Sequence, residues 1–145
     1  MTYDRPDNSQ RIQECENRIM QCEQQIRTLE REMEEIKWQM NKLMDVRAEE
    51  ARDRDEFIRS MDDERAQLVR IQRVGNIKMA DGYTENMRRF LNGSVSQNAM
   101  GAYDELIRAY DRALDEMKEE IRMKNTRIYA LEDEINSLQR ELYTL

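Results

Sequence analysis

The sequence predicts an all-α protein, an elongated antiparallel helical hairpin or coiled coil. Three observations carry that expectation. Apolar residues recur at alternating steps of three and four over long stretches, the signature of a heptad seam. The 145 residues are 38% charged and hold one proline and four glycines, a breaker-poor composition typical of long helices. A turn signal, Phe90-Leu91-Asn92-Gly93-Ser94-Val95-Ser96-Gln97, interrupts the helical pattern between two long arms. The chain is read as a single helical domain, 1–145.

Residues 1–8 form a polar lead containing Pro6, and Asp7, Asn8 or Ser9 can cap the helix that follows. The first long helix is expected over 9–72. Its seam runs Ile12, Cys15, Ile19, Cys22, Ile26, Leu29, Met33, Ile36, Met40 and Leu43 without an exception to the three-four alternation. Across 45–56 the seam positions become Arg47, Glu50 and Arg54, all polar, with neither glycine nor proline. That segment is either continuous helix with a wet seam or a bend that makes the first arm two helices. The seam then resumes in phase at Phe57, Met61, Leu68 and Ile71, which favours one long arm.

Gly75 marks a kink or short break, and 76–91 has the spacing of a short amphipathic helix. The turn is expected at 92–97: Asn and Gly tolerate positive φ, and the serines beyond them can cap a new helix. A second long helix is expected over 98–144. Its seam is built on Met100, Tyr103, Ile107, Tyr110, Leu114 and Met117 and continues through Ile121, Ile128, Leu131, Ile135, Leu138, Leu142 and Leu145, with Lys124 as its one polar intruder. Lys124 either fixes register or snorkels to the edge, the latter being the expectation.

Folding back at 92–97 would set the second helix against roughly 44–91. Residues 12–43 would then overhang with an uncovered seam, to be hidden by a third helix formed through bending or by another chain. Trp38 falls on the outermost heptad position, where a partner could cover it.

Chemistry is excluded rather than found. With no histidine, neither a Ser-His-Asp nor a Cys-His arrangement is possible, and no phosphate-binding glycine motif occurs. No enzyme, cofactor or metal site is expected. Cys15 and Cys22 lie seven apart, about 10.5 Å by helix rise, too far to bridge. They read as small buried thiols. A net charge of −7 speaks against nucleic acid, and no apolar run approaches membrane-spanning length, so no membrane insertion is expected. With no apolar leader segment at its start, the chain is expected in the cytoplasm.

The residues Asn76-Ile77-Lys78-Met79-Ala80-Asp81-Gly82-Tyr83, leading into Met87 and Phe90-Leu91-Asn92-Gly93-Ser94, then Tyr103-Asp104-Glu105 and Tyr110 ahead of a long Ile/Leu heptad, resemble the YwqH-like family. These are small helical proteins encoded beside LXG polymorphic toxins in Gram-positive bacteria. More distantly the chain is similar to the WxG helical hairpins of type VII secretion. The W-x-G of the hairpin tip is here Leu91-Asn92-Gly93, with Phe90 the nearest aromatic. The resemblance implies an accessory or targeting protein that packs against the helical N-terminal region of an LXG toxin, or against another small helical helper, and helps present it for export. It would either stay in the cytoplasm or leave with its cargo by a route that needs no signal peptide. The partner-facing set is expected to be Ile12, Ile19, Ile26, Met33 and Met40 with Trp38, and the hairpin tip Phe90, Leu91, Asn92 and Gly93. The competing reading is a self-assembling coiled-coil scaffold or tether, acting as a homodimer.

Overall fold

A computed structural model describes residues 7–74 and 78–145. The chain is all-α. Helix α1 spans Ser9–Val74, α2 spans Lys78–Asn92 and α3 spans Ser94–Thr144. The polar lead of residues 1–6 and the kink expected at Gly75 lie outside the described residues.

At the start of α1 the Asn8 carbonyl accepts the Ile12 amide at 2.8 Å, so Asn8 opens the helix. The preceding Asp7 carboxylate accepts the Ser9 amide at 3.0 Å, and this bond holds its pKa below the usual carboxylate value. An otherwise orphaned N–H is thereby satisfied. Helix α1 is unbroken through 45–56, so the fold-back alternative for that segment does not occur. At the other end of the chain the Thr144 hydroxyl donates to the Glu141 carbonyl at 2.7 Å and closes α3.

The packing divides into two compact units that share α1 and α3: one joins the chain up to Met40 with Asp115–Leu145, the other is Asn41–Leu114. In each, the pairing is antiparallel. In the first, partners of Glu32, Arg18 and Arg11 on α1 are Lys124, Glu134 and Glu141 on α3. In the other, partners of Arg65, Arg54 and Arg47 are Leu91, Asp104 and Asp111. As α1 is followed backwards, its partners climb.

This pairing corrects two expectations. The chain does not reverse at 92–97. Arg65 reaches the Leu91 carbonyl at 3.2 Å and Met61 lies beside Ser96, so α2 and the start of α3 both run antiparallel to α1. The change of direction is already complete at Lys78, where α2 begins. The turn segment contracts to Gly93, the single non-helical residue between α2 and α3. The other correction follows from this one. With 15 and 51 residues, α2 and α3 together match the 66 of α1, so residues 12–43 have no overhang and their seam is covered by α3.

The first unit is centred on Cys15 and Cys22, both at 0% exposure, with Met33 and Ile36 from α1 and Ile128 and Leu131 from α3. The second unit has Met61, Leu68 and Leu91 as its core, with Phe57 and Met87 packed against it. The Phe57 and Tyr103 rings meet at 5.9 Å between centroids, tilted by 45°. Such tilted pairs are favoured by the ring quadrupoles.

Candidate functional site

In the first unit, charged residues flanking the seam set the register. Arg11 Nε and Nη2 hold both oxygens of Glu141 at 2.6 and 2.7 Å, and Arg18 does the same to Glu134 at 2.6 and 2.9 Å. These forks are bidentate, the geometry that confers specificity along with attraction. Each captured carboxylate also accepts from a buried thiol: Cys15 Sγ lies 3.7 Å from Glu141 and Cys22 Sγ 3.5 Å from Glu134. One heptad apart, the same guanidinium, carboxylate and thiol recur. The bond to the guanidinium holds Glu134 and Glu141 below the usual carboxylate range, and burial pushes both thiols up. A raised thiol pKa means little thiolate, so these cysteines are poor nucleophiles.

Lys124 does not merely snorkel. Its ammonium sits 2.6 Å from Glu32 and 3.8 Å from Glu120, with the side chain 19% exposed. Two carboxylates from opposite helices thus share one cation, and the bond to Glu32 raises the lysine's pKa. Displaced by a heptad, Lys124 would lose Glu32 and keep only Glu120 of its own helix. A polar residue at one core position specifies register in this way.

The wet seam of 45–56 is closed by charge across the helices of the second unit. Arg47 Nε meets Asp111 at 2.5 Å and Arg54 Nε meets Asp104 at 2.7 Å. The bond to Asp111 raises the pKa of Arg47.

Of the partner-facing set predicted from sequence, Met33 is buried, and Ile12, Ile19, Ile26 and Met40 are half-buried in the seam of their own chain. Trp38 stands on the outside of α1 at 57% exposure. The seam residues and Trp38 therefore do not form one free surface. The other exposed large apolar side chains of this unit, among the described residues, are Met20, Met123, Tyr129, Tyr143 and Leu145.

The predicted tip residues divide likewise. Leu91 is buried at 2% exposure, while Phe90 is exposed at 54% and Asn92 is exposed beside it. Gly93 is required by close approach, not by a left-handed backbone. A methyl group there would collide with the Arg89 carbonyl oxygen. The Ser96 hydroxyl donates at 2.9 Å to the Phe90 carbonyl, so it seals the end of α2 instead of capping free amides.

Beside this bend the second unit opens a groove of about 440 Å³. Phe57, Ile58, Met61, Leu91, Met100 and Gly101 line it, and Arg65 and Asp104 are its charged members. The volume falls in the range of ordinary ligand pockets, and methionine gives such a lining an adaptable surface. Arg65 is fixed there by Asp62 at 3.1 Å and by the Leu91 carbonyl. Sequence periodicity marks Met61 and Met100 as seam residues and the turn signal puts Leu91 at the tip, neither distinguishing a groove. The signal that could have found it is Gly101 in the middle of a helix, a missing side chain next to a seam position.

Among the described residues no cluster of His, Cys, Asp or Glu could hold a metal ion, and no helix is long and apolar enough to cross a membrane. No family model, characterised protein or solved structure matches the chain.

Proposed function

We propose that this chain is a non-enzymatic accessory protein that binds a helical partner, namely the helical N-terminal region of an LXG toxin that it accompanies toward type VII secretion. The family is proposed on the resemblance at 76–94 and 103–110. The observation that carries the binding role is the apolar groove beside Gly93, at the tip segment on which the resemblance centres. Helix-in-groove recognition needs a pre-formed apolar trough with a few fixed polar groups at its rim, and Met61, Leu91 and Met100 between Arg65 and Asp104 meet that need. With the seam at 12–43 occupied by α3, the groove replaces it as the surface offered to a partner.

The protein acts as a soluble cytoplasmic helper that is exported with its cargo. Co-expression with the toxin encoded beside it is expected to give a stoichiometric complex on size exclusion. Separate elution of the two contradicts the proposal. Sedimentation of the isolated chain distinguishes the scaffold reading, which requires a tight homodimer at low micromolar concentration.

A further inference from the structure

The charge of this chain is unevenly distributed. Between Arg65 and Arg89 lie Arg65, Arg70, Arg73, Lys78, Arg88 and Arg89, against only Asp81 and Glu85, and residues 93–103 carry no charge. In a chain of net charge −7 this stretch is a basic island. Its acidic members do not neutralise it. Glu85 is shared by Arg88 at 3.5 Å and Arg89 at 3.3 Å, one carboxylate for two guanidiniums.

The island adjoins the groove. Residues four apart on a helix lie on one face, one turn above the other. On α1 the face that lines the groove with Arg65 continues to Val69, 46% exposed, and then to Arg73, also exposed. On α2 the groove residue Asn92 is preceded one turn earlier by Arg88. Arg73 and Arg88 thus lie two turns and one turn beyond groove-lining residues of their helices. Gly101 leaves the wall open, since a Cβ added there meets no atom within 4 Å.

We propose that this groove binds an acidic amphipathic helix. One apolar anchor would lie over Met61, Leu91 and Met100, and carboxylates flanking it would pair with Arg65, Arg73 and Arg88. The inference deepens the proposed function by naming the partner's chemistry, and it rests on that reading only for the partner's biological source. Charge complementarity selects an acidic helix over a basic one. A trough with a mainly apolar lining favours a helix over an anionic lipid surface, because a bilayer needs no trough.

The test is fluorescence anisotropy of a labelled helical peptide of about 18 residues, roughly five turns, with a Leu/Phe stripe flanked by Glu. A counterpart flanked by Lys and vesicles of phosphatidylserine serve as comparisons, all added to the full chain. The acidic peptide is expected to bind at least about tenfold more tightly than the basic one, with affinity falling as salt rises. Gly101→Leu fills the trough and is expected to abolish binding without lowering the unfolding midpoint, since it replaces a helix-interior glycine. Should Gly101→Leu fail to fold, Arg73→Glu/Arg88→Glu decides, with a loss of at least about tenfold expected from two like-charge contacts. Equal binding of both peptides, full binding by a folded Gly101→Leu or by the charge variant, or vesicle binding lost with the same variants overturns the inference. If the toxin complex forms but is indifferent to these variants, the groove assignment falls and the accessory role stands. If the acidic peptide binds and no toxin complex forms, the reverse holds.

Discussion

Gly93 and Gly101 are both helix-associated glycines eight residues apart, and they do opposite things. At Gly93 the Arg89 carbonyl occupies the space a side chain needs, so Gly93→Ala is expected to cost about 1–3 kcal/mol by forcing the backbone apart. At Gly101 nothing stands in the way, so Gly101→Ala is expected to stabilise by about 0.5–1 kcal/mol through higher helix propensity. Urea unfolding of the two variants checks the contrast, and equal shifts would contradict it. The thiols give a further expectation. Burial raises Cys15 and Cys22 above the usual 9.0, so the stabilisation their protonated forms give is complete below pH 9 and is lost as pH rises through the raised native values. Thermal melts above pH 9 are expected to fall more steeply in the wild type than in Cys15→Ala/Cys22→Ala.

At the scale of the element, the acidic limb of the same profile reports on the register locks. Arg11 and Arg18 hold Glu141 and Glu134 below the usual 4.5, so their stabilisation is full above that value and is lost as pH falls below it through the lowered native values. Melts between pH 6 and 2 are expected to show this loss blunted in Arg11→Gln/Arg18→Gln. Lys124 makes a different prediction. Lys124→Leu restores an apolar seam position and is expected to raise the unfolding free energy measured in urea by roughly 1 kcal/mol, and with it the midpoint, while releasing the register that the pair with Glu32 fixes. A broadened distribution of distances between labels on α1 and α3 would show the released register. A lower midpoint would mean that the ion pairs outweigh the burial.

These flanking charges also explain what the sequence revealed of the fold and what it concealed. The three-four alternation from Ile12 to Leu43 and from Met100 to Leu142 states that both arms are helices and which faces they bury. It does not state where the chain turns, because a heptad seam pairs equally well in any phase that keeps its apolar faces together. Two glycine-asparagine neighbours, Gly75-Asn76 and Asn92-Gly93, offer the same turn chemistry. Serines follow Asn92-Gly93 and make it the stronger signal of the two, yet Ser96 bonds back to Phe90. Arm length and charge could have decided. A reversal before Lys78 leaves two arms of equal length and sets Arg11 beside Glu141 and Arg18 beside Glu134, whereas a reversal at 92–97 leaves 12–43 uncovered.

For the whole molecule, the consequence is that the residues read as most exposed to a partner are used at home. Met33 and its seam neighbours pack against α3, and the surface left for recognition moves to the second unit, beside Gly93. That site was only partly legible. Phe90–Gly93 stood out as a tip, but the groove needs α1 laid against α2 and α3 in a phase that periodicity leaves open. The basic island was visible in the order of the residues and hidden in the total of −7. Sequence reading fails here where two surfaces must be superposed, and succeeds wherever one helix face suffices.

The most direct test of this account is a distance within one chain. Spin labels at Gln25 and Arg127, which border the same surface depression, can be placed in the Cys15→Ala/Cys22→Ala background and measured by pulsed dipolar spectroscopy. Helix axes 8–10 Å apart place the two labels about 10–20 Å from one another. This short distance is expected to persist when labelled protein is diluted into an excess of unlabelled chain. A distance that vanishes on dilution, or none in that range, would mean that the seam of residues 12–43 is covered by another molecule or by nothing.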